Sequence, residues 1–148
     1  MYKNILVAID DSETSRSALK EALHIAKTSS AKLYIAHVAD ETMLNLHGHA
    51  MMGAVNLDGA VANLLQAGQN LLDKAMESAT GIDAEALMLE ASKRRISEII
   101  ADKAKELGID LIIIGRHGQR GLATFILGSV AEQLARIAEA SVLLVRKH

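Results

Sequence analysis

At 148 residues, with a formal net charge of −2 and both signs interspersed, the chain has the length of one domain and no basic field to draw nucleic acid or an anionic membrane. Cysteine is absent, which excludes disulfides, thiol catalysis and thiolate metal sites and fits a reducing, cytoplasmic setting. Half of the residues are hydrophobic, yet the aromatic side chains are only Tyr2, Tyr34 and Phe125, so the core is aliphatic and a base-stacking surface is excluded.

The start, MYKNILVAIDD, lacks the order of a secretory signal, and no apolar run approaches the ~20 residues of a membrane helix. Ile5 to Ile9 reads as a buried strand, and Asp10-Asp11-Ser12 supplies helix N-cap types. Ala18, Leu19, Ala22, Leu23, Ile25 and Ala26 recur at helical spacing up to the Thr28-Ser29-Ser30 break, and Lys32 to Val38 follows as a second strand. From Asp40 to about Asp58 no period holds, which suits a lid or binding loop. A helix is expected from about Asp58 to Thr80 with Gly81 as its cap, then a strand over Asp83 to Glu90. Ile96, Ile99, Ile100, Ala104 and Leu107 predict a helix from 94 to 107, closed by Gly108. Leu111 to Ile114 is the most apolar strand and is expected at the centre of the sheet; Val130, Leu134, Ile137 and Ala138 mark the last helix, and Ser141 to Val145 the fifth strand. This order predicts an α/β fold: a single doubly wound, mainly parallel five-stranded sheet with four helices, in one domain over residues 1–148. Ligands of such sheets sit beyond the carboxyl ends of the strands, where the strand order reverses, and here the first and fourth strands end in Asp10 and Gly115.

Residues 115 to 129, GRHGQRGLATFILGS, hold Gly115, Gly118, Gly121 and Gly128 between a strand and a helix. Neither GxxxxGK[ST] nor GxGxxG is present. Even so, a helix opening at Gly128-Ser129 offers unpaired N–H groups and a positive dipole end to an anion, and Gly115 and Gly118 permit close backbone approach. The competing structural reading is a capping box, Ser129-Val130-Ala131-Glu132, in which Ser129 and Glu132 satisfy the helix itself. A capping Glu132 would also set its charge near a phosphate, which a divalent cation would offset. Arg116, His117 and Arg120 are either phosphate contacts or solvated loop charges. His47 and His49, beside Met51 and Met52, lack supporting ligands and read as loop residues, not a metal site. Asp10-Asp11 resembles the acidic pair of a phospho-receiver domain, but the third strand ends in Glu90 and no Lys followed by a helix comes after the fifth.

The glycines at 115, 118 and 128 with Ser129, VAIDDSETSRSAL at 7 to 19, IAHV at 35 to 38 and the ending GSVAEQLARIAEASVLLVR together resemble the ATP-binding type of the universal stress protein family, over essentially the whole chain. The resemblance implies ATP, with Mg²⁺ held by the phosphates. It places the backbone at Gly115, Gly118, Gly128, Ser129 and Val130 along the triphosphate and ribose, Asp10 facing the ribose, and Val38 meeting adenine through its main chain, with Ile9 and Ile114 nearby and Arg116 among the binding residues. It further implies a homodimer through Val142 to Val145. Two departures stand out: Glu90-Ala91-Ser92-Lys93 replaces a turn that usually carries glycine and often proline, and Ser141 stands where proline usually introduces the last strand.

With no Walker lysine and Asp10 as the carboxylate at the site, the leading expectation is an ATP-binding regulatory protein in which occupancy tunes conformation or oligomeric state, acting on an unknown protein partner. The alternatives are a weak ATPase or autophosphorylating protein, and a ligand-free dimeric interaction module.

Overall fold

Each apolar run in the chain is too short for a helix and too continuous for a half-exposed strand, so each is satisfied only between two helical layers. The structure, a computed structural model, describes residues 1–41, 57–117 and 127–147. In chain order it contains β1 (Asn4–Ala8), α1 (Glu13–Ser29), β2 (Lys32–Asp40), α2 (Leu57–Glu77), β3 (Ala84–Ala91), α3 (Ile96–Glu106), β4 (Leu111–Gly115), α4 (Ser129–Ile137) and β5 (Ser141–Val145).

Local chemistry sets the boundaries. Ser12 caps α1 by accepting from the Ser15 N–H at 3.2 Å, and the helix ends at Ser30, whose φ of 52° turns the chain left-handed. Gly81 and Gly108, at φ of 82° and 62°, reverse the chain after α2 and α3. Both departures from the family pattern contribute strand residues, Glu90 and Ala91 in the first and Ser141 in the second. β3 runs on through the fully buried Ala91, paired with Asp40, and the Ser141 N–H donates to the Asp110 carbonyl at 3.2 Å, a bond that proline could not make.

All five strands are parallel in the order β3-β2-β1-β4-β5. The chain therefore moves outward from β1 through β2 to β3, then crosses back over β1 to β4 and β5, and the order reverses between β1 and β4. The expectation that the fourth strand is central is corrected: β1 holds the centre and β4 lies beside it. β4 is buried at every residue because helices cover both of its faces and β5 covers its outer edge, so its apolarity reports burial and not rank in the sheet.

Alternation along the strands divides the core. Ile5, Val7, Leu33, Ile35, Leu111 and Ile113 pack under α1 and α2 against Ala18, Ala22, Ala26, Leu72 and Ala75. Leu6, Tyr34, Ala36, Ile112 and Ile114 pack under α3 and α4 against Ile100, Ala104 and Leu134. The buried Ser97 hydroxyl donates to Gln133 Oε1 at 2.6 Å and locks α3 to α4. At the amino edge, the Asp110 carboxylate accepts from the Lys3 and Asn4 amides at 2.8 and 3.3 Å, fixing the start of β1 beside β4. Among the described residues, no helix is long and apolar enough to cross a membrane.

Replacing the fully buried Ile113 by alanine is expected to lower the unfolding free energy by about 2–5 kcal/mol, measured by equilibrium urea denaturation.

Candidate functional site

The carboxyl ends of β1 and β4 lie side by side at the point where strand order reverses, and the loops leaving them are stitched together. After β1 the half-buried Asp10 is held twice: its N–H donates to Ser15 Oγ at 2.8 Å, and its Oδ1 accepts the Ser12 N–H at 2.8 Å. The Thr14 hydroxyl donates to the carbonyl of His117, joining the first turn of α1 to the loop after β4. Arg116 links three segments, since its N–H donates to the Val145 carbonyl and its own carbonyl accepts the Gly128 N–H, both at 2.8 Å. Gly115 and Gly128, the ends of the glycine stretch, are thereby brought to one place.

Two findings at this edge bear on the expected roles of Gly115 and Ser129. A Cβ on Gly115 would lie 2.6 Å from Thr14 Oγ1 and 2.8 Å from the Thr14 carbonyl carbon, so the close approach that demands glycine there is that of α1. The capping box does not form. Gly128, at φ −59° and ψ 145°, is the N-cap of α4, Ser129 is already its first helical residue, and among the described residues no side chain caps the helix. Glu132 instead turns along the helix to pair with Arg136 at 2.8 Å, so its charge is no reason to expect a cation beside the helix end. The amides of Ser129, Val130 and Ala131 thus open α4 with no acceptor within the helix and none among the described residues, at the positive end of its dipole.

Val38 lies inside β2 opposite Leu89, just past the place where the β1–β2 ladder ends at Ala8 and Ala36. Val38, Ile114 and Val130, with Ala8 and Leu127, share the apolar cluster on the α3 and α4 face of the sheet. Ile9 is on the other face, buried under α1 and α2, so the structure does not bring its side chain together with Ile114. Thr14, Ser15, Ala8 and Leu127 belong to this edge although their identities gave no ligand signal; the SETS run after Asp11 offered only a capping pattern.

Gly118 and Arg120 lie outside the described residues, as do His47, His49, Met51, Met52 and the expected binding loop. Among the described residues, no cluster of three His, Asp or Glu side chains could hold a metal ion. Beside the site, Lys147 pairs with Glu13 at 2.8 Å, and its hydrogen bond and charge hold the Glu13 carboxyl below its ordinary 4.5. That contribution is present above the ordinary value and is lost as pH falls through the lower folded one; as an exposed pair it is small.

The fold and this edge define a doubly wound α/β protein in which a helix N-terminus, that of α4, opens near the switch point of the sheet. The sequence profile of the universal stress protein family matches residues 1–146, and the chain belongs to that family. It is 34% identical over 149 residues to the universal stress protein YxiE of Bacillus subtilis, spanning 99% of this chain and 100% of that protein. Among solved structures, the hypothetical protein MJ0577 superposes with a TM-score of 0.83 at 25% identity, covering 100% of this chain and 98% of that one. A universal stress protein solved in complex with cAMP superposes with a TM-score of 0.71 at 26% identity, covering 99% of each chain.

Gly115→Ala is expected to destabilise the ligand-free protein by about 1–3 kcal/mol, read from thermal unfolding, because the added methyl meets backbone and not a yielding side-chain tip.

Proposed function

We propose that this chain is a regulatory protein that binds ATP across the carboxyl ends of β1, β2 and β4, as one nucleotide-binding domain over residues 1–148 whose occupancy tunes conformation or oligomeric state. The observation that carries the reading is the start of α4, with no capping side chain among the described residues, clasped through Gly128 and Arg116 to the end of β4, the strand beside the one that leads to Asp10. Free amides at a helix N-terminus suit phosphate, the Asp10 carboxylate suits ribose hydroxyls, and the apolar wall of Val38, Ile114 and Val130 suits a purine. In this reading the main chain at Gly115, Ser129 and Val130 borders the phosphates, Gly118 and Arg116 complete the loop around them, and Mg²⁺ is held by the phosphates themselves. The structural neighbour solved with cAMP supports an adenine nucleotide as the ligand class.

Isothermal titration calorimetry with ATP and Mg²⁺ is expected to show one site per chain. Gly128→Val is expected to weaken binding at least about tenfold while leaving the melting temperature near that of the parent, since the backbone angles of Gly128 are open to any residue and the added side chain stands at the start of α4. Undiminished affinity would show that the motif is a turn and nothing more.

We also propose homodimerisation through Val142 to Val145. β5 ends the sheet order, its Val142, Leu143 and Leu144 are only half-buried, and Ile137 at the end of α4 is 47% exposed. Light scattering at micromolar concentration is expected to give twice the chain mass, and Leu143→Lys to shift it towards the monomer; a monomer both with and without ATP would refute the dimer.

A further inference from the structure

The imidazole of His37 stands where a rung of the sheet is missing. Along β2 the even-numbered residues turn their main-chain groups towards β1: the Lys32 N–H donates to the Lys3 carbonyl at 2.9 Å, and the Ala36 carbonyl accepts the Ile9 N–H at 2.8 Å. The next rung in this parallel pattern would run from the Val38 N–H to the Ile9 carbonyl. It is not made. The Ile9 carbonyl instead lies 2.8 Å from His37 Nδ1. A carbonyl only accepts, so Nδ1 carries the proton and donates it. No described residue accepts from the Val38 N–H, which faces the open fork between β1 and β2.

The surroundings are shaped for this ring. Glycine is unfavourable in a helix interior, yet Gly68 sits inside α2, where a Cβ would lie 2.7 Å from His37 Cδ2, 3.1 Å from Nε2 and 2.8 Å from Met88 Cε. α2 thus backs the imidazole closely and holds it against the end of β1.

We propose that His37 is a positioning residue for the nucleotide base: by donating Nδ1–H to the Ile9 carbonyl it occupies the acceptor that would draw the Val38 N–H into the ladder, and so keeps that N–H free to meet the ring edge of a purine. A buried carbonyl deprived of its donor takes the next one within reach, and here that is Val38. Without His37 the β1–β2 ladder closes by one rung and the base loses its donor. The phosphate end, built by α4 and the loop after β4, is unaffected. The inference rests on the nucleotide-binding reading, whereas the missing rung can be tested without any ligand.

Amide hydrogen exchange followed by NMR on the ligand-free protein is expected to show Val38 exchanging freely in the parent and at least about tenfold more slowly in His37→Leu. In titrations, His37→Leu is expected to lose about tenfold in ATP affinity with unchanged affinity for inorganic tripolyphosphate. His37→Asn, whose side-chain amide can stand in for Nδ1, is expected to restore both Val38 exchange and ATP affinity, and Gly68→Ala, whose methyl claims the space of His37 Cδ2 and turns the ring off the Ile9 carbonyl, to behave like His37→Leu. The proposal is overturned if Val38 exchange is the same in the parent and in His37→Leu, or if ATP and tripolyphosphate affinities fall together. A parent protein that binds no nucleotide overturns the nucleotide-binding reading and with it the role in base binding, while Val38 exchange still decides whether His37 holds the rung open. If His37→Leu does not fold, His37→Asn and Gly68→Ala decide: a freely exchanging Val38 in the first and a protected one in the second uphold the role, and no difference between them refutes it.

Discussion

The contact between the first turn of α1 and Gly115 governs the carboxyl edge of this protein. β1 and β4 are neighbours, and the helix that leaves β1 must pass directly over the end of β4. It can do so only where β4 has no side chain, which places the Thr14 backbone within van der Waals reach of Gly115 and lets the Thr14 hydroxyl hold the next loop at His117. From there Arg116 carries the connection to Val145 on one side and Gly128 on the other. The edge is assembled from main-chain bonds between segments distant in sequence, so its shape is set when the sheet forms.

Within that frame the start of α4 is left open where a different local choice would have closed it. Had Ser129 taken the N-cap position, its hydroxyl and the Glu132 carboxylate would have satisfied the first amides. With Gly128 as the cap, those amides have no partner among the described residues, and Glu132 is drawn away by Arg136. The same withholding of a partner recurs at the fork of β1 and β2, where an imidazole takes the place of a backbone rung. In both places an ordinary helix or strand contact is absent beside the strand ends, which is the condition under which backbone can serve a ligand. The ion pairs Lys32–Glu85, Arg94–Asp102, Lys105–Glu139 and Lys147–Glu13 involve partly or fully solvated side chains and contribute little to holding any of this together.

Where sequence reading and structure part, the reason is physical in each case. β1 ends at Ala8 although Ile9 continues the apolar run, because Ile9 is buried by α1 and α2 after its strand partner has been replaced. β2 extends to Asp40 although its last residues are mixed in character, because β3 runs alongside it to Ala91. The apolarity of β4 reads as centrality only if burial is equated with position, and here β4 is buried at every residue although β1 holds the centre. The capping pattern at Ser129 was visible, but its register depended on the bond that ties Gly128 to Arg116.

By itself the sequence determined the number and order of strands and helices, the layered α/β class, the family, and the two loops at which chemistry should gather. All of these rest on local periodicity, turn residues and motif spacing, which need no knowledge of what packs on what. Only the tertiary structure decided that Gly115 makes room for α1, that Ile9 and Ile114 lie on opposite faces, that α4 is uncapped, and that His37 stands in for a rung of the sheet. Each of these depends on how segments far apart in the chain are packed, of which residue identity alone carries no record.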